Sequence, residues 1–384
     1  MSKITWVNFL HIYQPPWQDK GIIEQVAASS YEYLIRLFKR YPNFKASLNI
    51  SGNLVEQLEI YRPDLLRSLG LLLKKGQIEL TATAHYHALL PLISPTEAKR
   101  QIELNQGTLA KYFALEQIKG FYLPEMAFDN RVAKLIKSLG FEWLILDPIN
   151  FKEKLAKDTL YLDNVSGLKI IFRDRKISKG YPPEVIFKKI SKIKNNETII
   201  TATDGEIYGH FHTDWQGHLE QILQNKNLEI KTVGQYIASL KTKQTISLRA
   251  GSWESSEIEL EKKIPFVLWA DPKNKIHKNL WLLAKQASQL VTKYKKDANW
   301  QWARQHLDRG LSSCTFWWAS AKKPSEFSSL TWNPDMIDKG SEELIKSIRS
   351  LTLASPAEKI KAEKIYLEIK KNTWFDHWRK YNKK

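Results

Sequence analysis

Short apolar runs rich in β-branched and aromatic residues alternate with segments of helical spacing through the N-terminal part of the chain. The strand-like runs are 4–10 leading to His11, 44–51 around Asn49 and Ser51, 77–84 leading to His85, 118–124 leading to Glu125, 141–147, 168–174 and 197–204. Between them, apolar positions recur every three or four residues in 31–40, 55–69 and 131–140, which predicts amphipathic helices, with Gly140 as a C-terminal cap. That is about seven β-α units, the pattern of a parallel sheet closed or nearly closed into a barrel. After about Glu229 the alternation fades, 252–272 reads as loop, and from Lys275 onward the spacing is helical. The expected division is a catalytic barrel over 1–245, then a loop-rich connector and α-helical domain over 246–384 that packs on the barrel and contributes to its cleft.

Each predicted strand carries a polar or ionisable residue at its C-terminal end: His11, Asn49, His85, Glu125, Asp147, Asp174 and Asp204. In parallel α/β folds that end collects catalytic groups. Two of the seven stand out. Glu125 lies among Phe121, Tyr122, Leu123, Met126 and Phe128, where a carboxylate must be paired, protonated or functional. Asp204 opens D-G-E-I-Y-G-H-F-H, with Tyr208, Gly209, His210, His212 and Trp215 close behind. Two acids delivered to one face by distant strands suit cleavage of a glycosidic bond, in which one attacks or activates and the other moves a proton.

Composition adds a hint and several exclusions. The chain has 14 Trp, 15 Tyr and 15 Phe, and the flat face of an indole suits the C–H face of a sugar, although Trp also fills cores. Trp317 and Trp318 are adjacent, so a helix cannot turn both rings into one core; one is expected to face the cleft as a sugar platform. The net charge of +18 is mostly Lys, scattered and interleaved with Glu at helical spacing, which describes solvated helix faces rather than a nucleic-acid groove. Cys314 is the single cysteine, so no internal disulfide exists, and its apolar neighbours predict a buried, inert thiol. The N-terminus enters a strand without the regions of a signal peptide and no run could span a bilayer, which points to a cytoplasmic protein without a membrane partner.

The histidines offer a competing chemistry. His11, His85, His87, His210 and His212 with Asp204 could ligate a divalent metal if H-Y-H and H-F-H are extended, because alternate residues of a strand share a face. A metal-dependent sugar hydrolase, such as a polysaccharide deacetylase or an α-mannosidase-like enzyme, would have such a set. No His-x-x-x-His helix pair or tight carboxylate cluster fixes its first shell.

Taken in order, five segments resemble the motifs of glycoside hydrolase family 57, which holds α-glucan-active amylases, 4-α-glucanotransferases, branching enzymes and amylopullulanases. His11-Ile12-Tyr13-Gln14-Pro15 is similar to its His-x-His-Gln-Pro segment, with Tyr13 in place of the second His. G-Q-I-E-L through H-Y-H-A-L-L-P-L resembles the second motif at Glu79 and His87, and F-Y-L-P-E-M-A-F the third. T-D-G-E-x-x-G-H resembles the fourth and C-T-F-W-W-A-S, loosely, the fifth. The resemblance implies a (β/α)7 barrel, a distorted TIM-like one, followed by a helical domain, with retaining chemistry on α-linked glucans and no required metal or other cofactor. It gives Glu125 the role of nucleophile and Asp204 that of acid/base. His11, Gln14, Glu79, His87, Asp174 and His210, with Trp317 or Trp318, would bind the oligo- or polysaccharide substrate. A catalytically silent glucan-binding protein is the alternative of another class.

Overall fold

The computed structural model describes residues 2–115, 117–323 and 330–381. Ten strands form one sheet: β1 (Ile4–Ile12), β2 (Ala46–Ile50), β3 (Ile78–Ala82), β4 (Gly120–Phe121), β5 (Trp143–Leu146), β6 (Thr159–Asp163), β7 (Lys169–Phe172), β8 (Glu197–Asp204), β9 (Leu228–Lys231) and β10 (Thr242–Ile246). Their order is β10-β6-β7-β5-β4-β3-β2-β1-β8, with β9 also pairing β1, and every ladder is parallel except β6 with β7. The seven expected strands are β1, β2, β3, β4, β5, β7 and β8. They curl into a (β/α)7 barrel with helices around it.

The seam between β7 and β8 is spanned by single bonds. The Asp174 N–H donates to the Ile200 carbonyl at 2.6 Å, Arg173 Nη1 to the Ala202 carbonyl at 3.0 Å, and the Ala202 N–H to Ser178 Oγ at 3.2 Å. A second irregularity lies at β1. Its first half pairs with β9 and its second half with β2, so β2 parts from β1 at the N-terminal end of the barrel.

Both faces of β1 are buried, as in a central parallel strand. Trp6, Leu10 and Ile12 pack with Leu34, Ile35 and Phe38 of the surrounding helices. Val7 and Phe9 pack instead with Tyr122, Trp143, Ile145, Ile171, Ala202 and Trp253 in the barrel interior. His11 follows in the same alternating register, so it takes the interior position nearest the C-terminal end of the strand.

Several local expectations need correction. The helical pattern over 55–69 is two helices, Gly52–Tyr61 and Pro63–Lys74, because Pro63 lacks the N–H to continue the first and forces Arg62 out of helical angles (φ −145°, ψ 58°). The strands β6, β9 and β10 lie outside the seven expected runs; β10 is Thr242–Ile246, mostly exposed and polar, without the apolar signature of a buried strand. Gly140 does cap its helix, in left-handed backbone at φ +90°. Cys314 is half-buried rather than buried.

The described residues form two compact units. One comprises residues up to Gln14, Gln18–His85 and Ser94–Trp253; the other comprises Pro15–Trp17, Tyr86–Ile93 and the chain from Glu254 onward. Within the second, the long helices Lys275–Lys293, Trp300–Gly310, Pro334–Arg349 and Pro356–Asp376 pack on one another. Among the described residues no helix is long and apolar enough to cross a membrane.

Candidate active site

Glu125 is not on a strand. β4 is only two residues long, Pro124 holds Leu123 extended, and the chain then turns with Glu125 at φ 60°, ψ 18° and Met126 at φ 49°. Left-handed backbone at two successive non-glycine residues costs on the order of 1–3 kcal/mol each and persists only where the surroundings enforce it. Here Met126 is fully buried in the barrel interior, and the next stretch is clamped by Phe128 and Gly251, whose N–H groups donate to each other's carbonyls at 2.8 and 3.2 Å. The same strap brings Trp253 over the turn. Its backbone N–H donates to the Glu125 carbonyl at 3.3 Å and its indole Nε1 to Glu125 Oε2 at 3.0 Å.

Trp253 is itself held. The Arg173 guanidinium lies over its ring at 5.1 Å, and Arg173 Nε donates to Asp147 Oδ2 at 2.8 Å inside the protein. Asp147 also accepts from Arg175 Nη1 at 3.1 Å and from the Ile149 N–H at 3.0 Å. A buried carboxylate so compensated is a stable support. Asp147, Arg173, Trp253 and Glu125 thus form a chain of fixed contacts that ends on the candidate nucleophile.

Asp204 is the last residue of β8 and lies opposite His11 in the β1–β8 ladder. Two residues on, Glu206 is buried (5 % exposed), and burial, then the Asp204 charge, pushes its carboxyl up to about 8, against the pull of the Tyr31 hydroxyl. Tyr31 Oη donates to Glu206 Oε1 at 2.5 Å, with the Tyr13 N–H at 3.4 Å and Gln14 Nε2 at 3.5 Å from the same oxygen. Gln14 is set by Asn53 Nδ2, which donates to its carbonyl at 2.8 Å.

The loop after β8 is gripped by a π turn, Ala27–Tyr31, that interrupts the helical run from Lys20 to Arg40. Such turns recur at functional sites because the extra residue redirects side chains. Ser29 Oγ lies 3.0 Å from His210 Nδ1, Ser30 Oγ donates to the Gly205 carbonyl at 2.9 Å, and Tyr31 reaches Glu206. Gly209 sits at φ +99°, where a Cβ would fall 2.1 Å from the Ser29 carbonyl oxygen. Only glycine fits both the backbone and the space.

His11 Nδ1 is 2.7 Å from Asn49 Oδ1, an acceptor, so Nδ1 carries the proton. Asn49 Nδ2 lies 3.3 Å from Thr81 Oγ1, extending a polar row across β1, β2 and β3. Burial, partly offset by the Asn49 bond, lowers the His11 pKa to about 4, so the ring is neutral at physiological pH. It stacks on Tyr122 at 4.6 Å. The Tyr122 hydroxyl is raised well above its usual value by burial and then by the charges of Asp204 and Glu125, so both carboxylates act on one buried group.

The first unit therefore brings together Glu125, Asp204, His11 and, through Glu206 and Ser29, Gln14 and His210. It does not bring Glu79 or Asp174 into that group. Glu79 Oε2 accepts the Gly234 N–H at 2.9 Å and the Ser47 hydroxyl at 2.6 Å, while Ser47 Oγ accepts the Val233 N–H at 2.8 Å. Its carboxylate neutralises the start of the helix Val233–Ser239, which follows β9 where β2 parts from β1. Asp174 Oδ1 caps the helix Arg175–Ser178 through the Ile177 N–H at 2.9 Å. His87 lies in the second unit at φ 57°, its Nδ1 2.9 Å from Ser313 Oγ. Trp317 and Trp318 are also in that unit, both half-buried, with rings 4.6 Å apart at 76°, so they do diverge.

The extended H-Y-H and H-F-H needed for a metal set do not form, because both triplets lie in turns. His85 Nε2 is 3.5 Å from Glu56 Oε2, His210 meets Ser29, and His212 packs on Tyr181 at 4.3 Å. Among the described residues no three His, Cys, Asp or Glu side chains converge as a metal site would need.

Sequence comparison now gives this arrangement its class. The chain belongs to glycosyl hydrolase family 57, whose sequence model matches residues 9–249. It is similar to the alpha-amylase of Pyrococcus horikoshii, 25% identical over 282 residues that cover 68% of this chain and 44% of that protein. It is similar also to the 4-alpha-glucanotransferase of Thermococcus litoralis, 24% identical over 291 residues covering 68% and 43%. The crystal structure of the 4-alpha-glucanotransferase from Thermococcus litoralis matches with a TM-score of 0.72 at 19% identity, over 92% of this chain and 60% of that one, a likeness of fold. The chain spans about half the length of the curated relatives it matches.

Proposed function

We propose that the chain is a retaining glycoside hydrolase or transglycosylase of the amylase or 4-α-glucanotransferase type, acting on an oligo- or polysaccharide of α-linked glucose. Family membership and the names of the relatives support the substrate class. The observation that supports the residue assignment is that Asp204 lies opposite His11 in the β1–β8 ladder, while the His11 ring stacks at 4.6 Å on Tyr122, three residues before Glu125.

In this reading Glu125 attacks the anomeric carbon, and the glycosidic C–O bond breaks as Asp204 gives its proton to the leaving oxygen. The glycosyl ester on Glu125 is then opened by water, or by a hydroxyl of an acceptor sugar, whose proton returns to Asp204. The Trp253 indole N–H, donated to Glu125 Oε2, leaves the carboxylate a fixed orientation for attack. The neutral His11 ring suits hydrogen bonding to a sugar hydroxyl. Gln14 and His210, held through Glu206 and Ser29, bind sugar at the same rim.

Incubation with a maltooligosaccharide of defined length, with the products resolved by size, tests this. Shorter products alone mean hydrolysis, and longer ones mean transfer. Glu125→Gln keeps an oxygen for Trp253 and should abolish turnover while leaving sugar binding measurable; a fully active variant would remove Glu125 from the role.

A further inference from the structure

The helix Pro356–Asp376 lies wholly in the second unit and ends among aromatic rings. Its inner face is spent on packing, with Ala362, Tyr366, Ile369 and Thr373 buried. At its C-terminal end, however, Phe375, Trp378 and Tyr381 are 49%, 62% and 37% exposed. The rings around them are fixed. Trp374 Nε1 donates to Asp338 Oδ2 at 2.9 Å, and Trp332 Nε1 to His377 Nδ1 at 3.3 Å. Trp332 lies 4.3 Å from Tyr381, His377 lies 4.9 Å from Trp378, and Trp374 lies 6.4 Å from Trp378 with planes 29° apart. The result is a connected row of rings that runs from half-buried, hydrogen-bonded indoles to rings bared to water. An exposed aromatic cluster contributes little to the fold and marks a place where something binds.

We propose that this aromatic end of the second unit is a surface site for a polymeric α-glucan, with a sugar ring stacked on Trp378 and held beside Tyr381. The site binds the polymer and takes no part in its cleavage. Rings already locked by their neighbours present flat apolar faces at little further loss of freedom, and the C–H face of a pyranose is a flat apolar surface edged with hydroxyls. The rim carries both signs, in the pairs Lys380 with Asp376, Lys370 with Asp338 and Lys371 with Glu368. Such a rim offers donors and acceptors to sugar hydroxyls, whereas anionic lipid would need positive charge alone. A second copy of the chain would bring a net charge of +18 against its own equal. That the sugar is an α-glucan rests on the reading of the chain given under the proposed function.

Sedimentation with insoluble amylose, with unbound protein measured over a range of glucan, tests this in the E125Q background, where the polymer should stay intact. Trp378→Leu keeps an apolar side chain and removes the ring face; Trp378→Phe keeps a ring. E125Q/W378L is expected to bind amylose about three- to tenfold more weakly than E125Q, and E125Q/W378F to stay within about twofold of it. Equal affinity in all three overturns the proposal, as does a Phe variant no better than the Leu variant. Equal sedimentation of E125Q with cellulose would overturn the α-glucan assignment. A dimer in light scattering that W378L dissociates would give the face to a second copy, and sedimentation with phosphatidylglycerol vesicles that W378L abolishes would give it to lipid; either overturns the proposal. Cleavage of maltoheptaose by the wild type decides the enzymatic reading separately. A wild type that cleaves none, while amylose binding still depends on the ring at 378, would overturn that reading and leave the surface site standing.

Discussion

Trp253 holds Glu125 twice, by its backbone N–H on the Glu125 carbonyl at 3.3 Å and by its indole Nε1 on Oε2 at 3.0 Å. The two bonds are separable. Trp253→Phe keeps the backbone bond and a ring beneath Arg173, and removes the N–H that orients the carboxylate. A hydrogen bond to a charged group contributes about 1.5–3 kcal/mol, so kcat is expected to drop about 10- to 100-fold with KM little changed. Steady-state kinetics on a maltooligosaccharide checks this. An unaltered kcat would mean that the strained turn alone orients Glu125.

The π turn and the loop after β8 interlock most tightly at Gly209. Gly209→Ala puts a Cβ 2.1 Å from a backbone oxygen of Ser29 and leaves the residue at φ +99°. Gly217 is a control, since at φ +66° it has only the side-chain tip of Gln221, at 4.0 Å, near its Cβ direction. G217A should lose about 1 kcal/mol from backbone strain alone, and G209A more than about 2 kcal/mol together with a fall in turnover as Asp204 and Glu206 shift. Urea unfolding of the two variants side by side measures the difference; equal losses would mean that the loop gives way easily.

Glu206 makes stability depend on pH with a definite sign. Its carboxyl titrates near 4.5 when exposed and about 8 in the fold, so between those values the folded state binds the extra proton. Stability from this group is therefore fully present below about 4.5 and lost as pH rises through about 8. His11 and His277, depressed from 6.5 to about 4, act oppositely: their contribution is present above 6.5 and lost as pH falls toward 4. The window from 6.5 to 8 thus isolates Glu206. Unfolding free energy should decline across it in the wild type and stay flatter in Glu206→Gln, whose amide oxygen still accepts from Tyr31. Parallel slopes would mean that another group carries the proton.

Much of the barrel could be read along the chain because its signals are local. Residues 4–10, 141–147 and 197–204 each place apolar, β-branched or aromatic residues on both faces, and Gly140 ends a helix where a left-handed cap is needed. Asp204, ending β8, was legible for the same reason. The supports of Glu125 were not, since Trp253, Arg173 and Asp147 meet it only through long-range folding and Trp253 sits in no periodic segment. The partner of Glu79, named as a site residue only through the second motif, was not legible either: its carboxylate accepts the Gly234 N–H at the start of the helix Val233–Ser239, more than a hundred and fifty residues distant. Tyr31 lay inside a plain amphipathic pattern, and nothing in that pattern marks the π turn that aims it at Glu206.

The division of labour between the two carboxylates can be read from stereochemistry. In a retaining enzyme on α-linked substrate the intermediate is a β-glycosyl ester of the nucleophile, because attack comes from the face opposite the leaving oxygen. Glu125→Gly leaves room for azide, which would displace the leaving group directly, with Asp204 still supplying the proton, to give a β-glycosyl azide. Asp204→Ala keeps the nucleophile, so an aryl α-glucoside that departs without a proton still forms the ester, and azide then opens it from the other side to give an α-glycosyl azide. Rescue of each variant is expected to exceed about tenfold, since a missing base or nucleophile is worth at least that. Proton NMR of the two azides distinguishes the anomers. The reverse pairing of variant and anomer would exchange the roles of Glu125 and Asp204, and the same anomer from both would exclude a covalent intermediate on either.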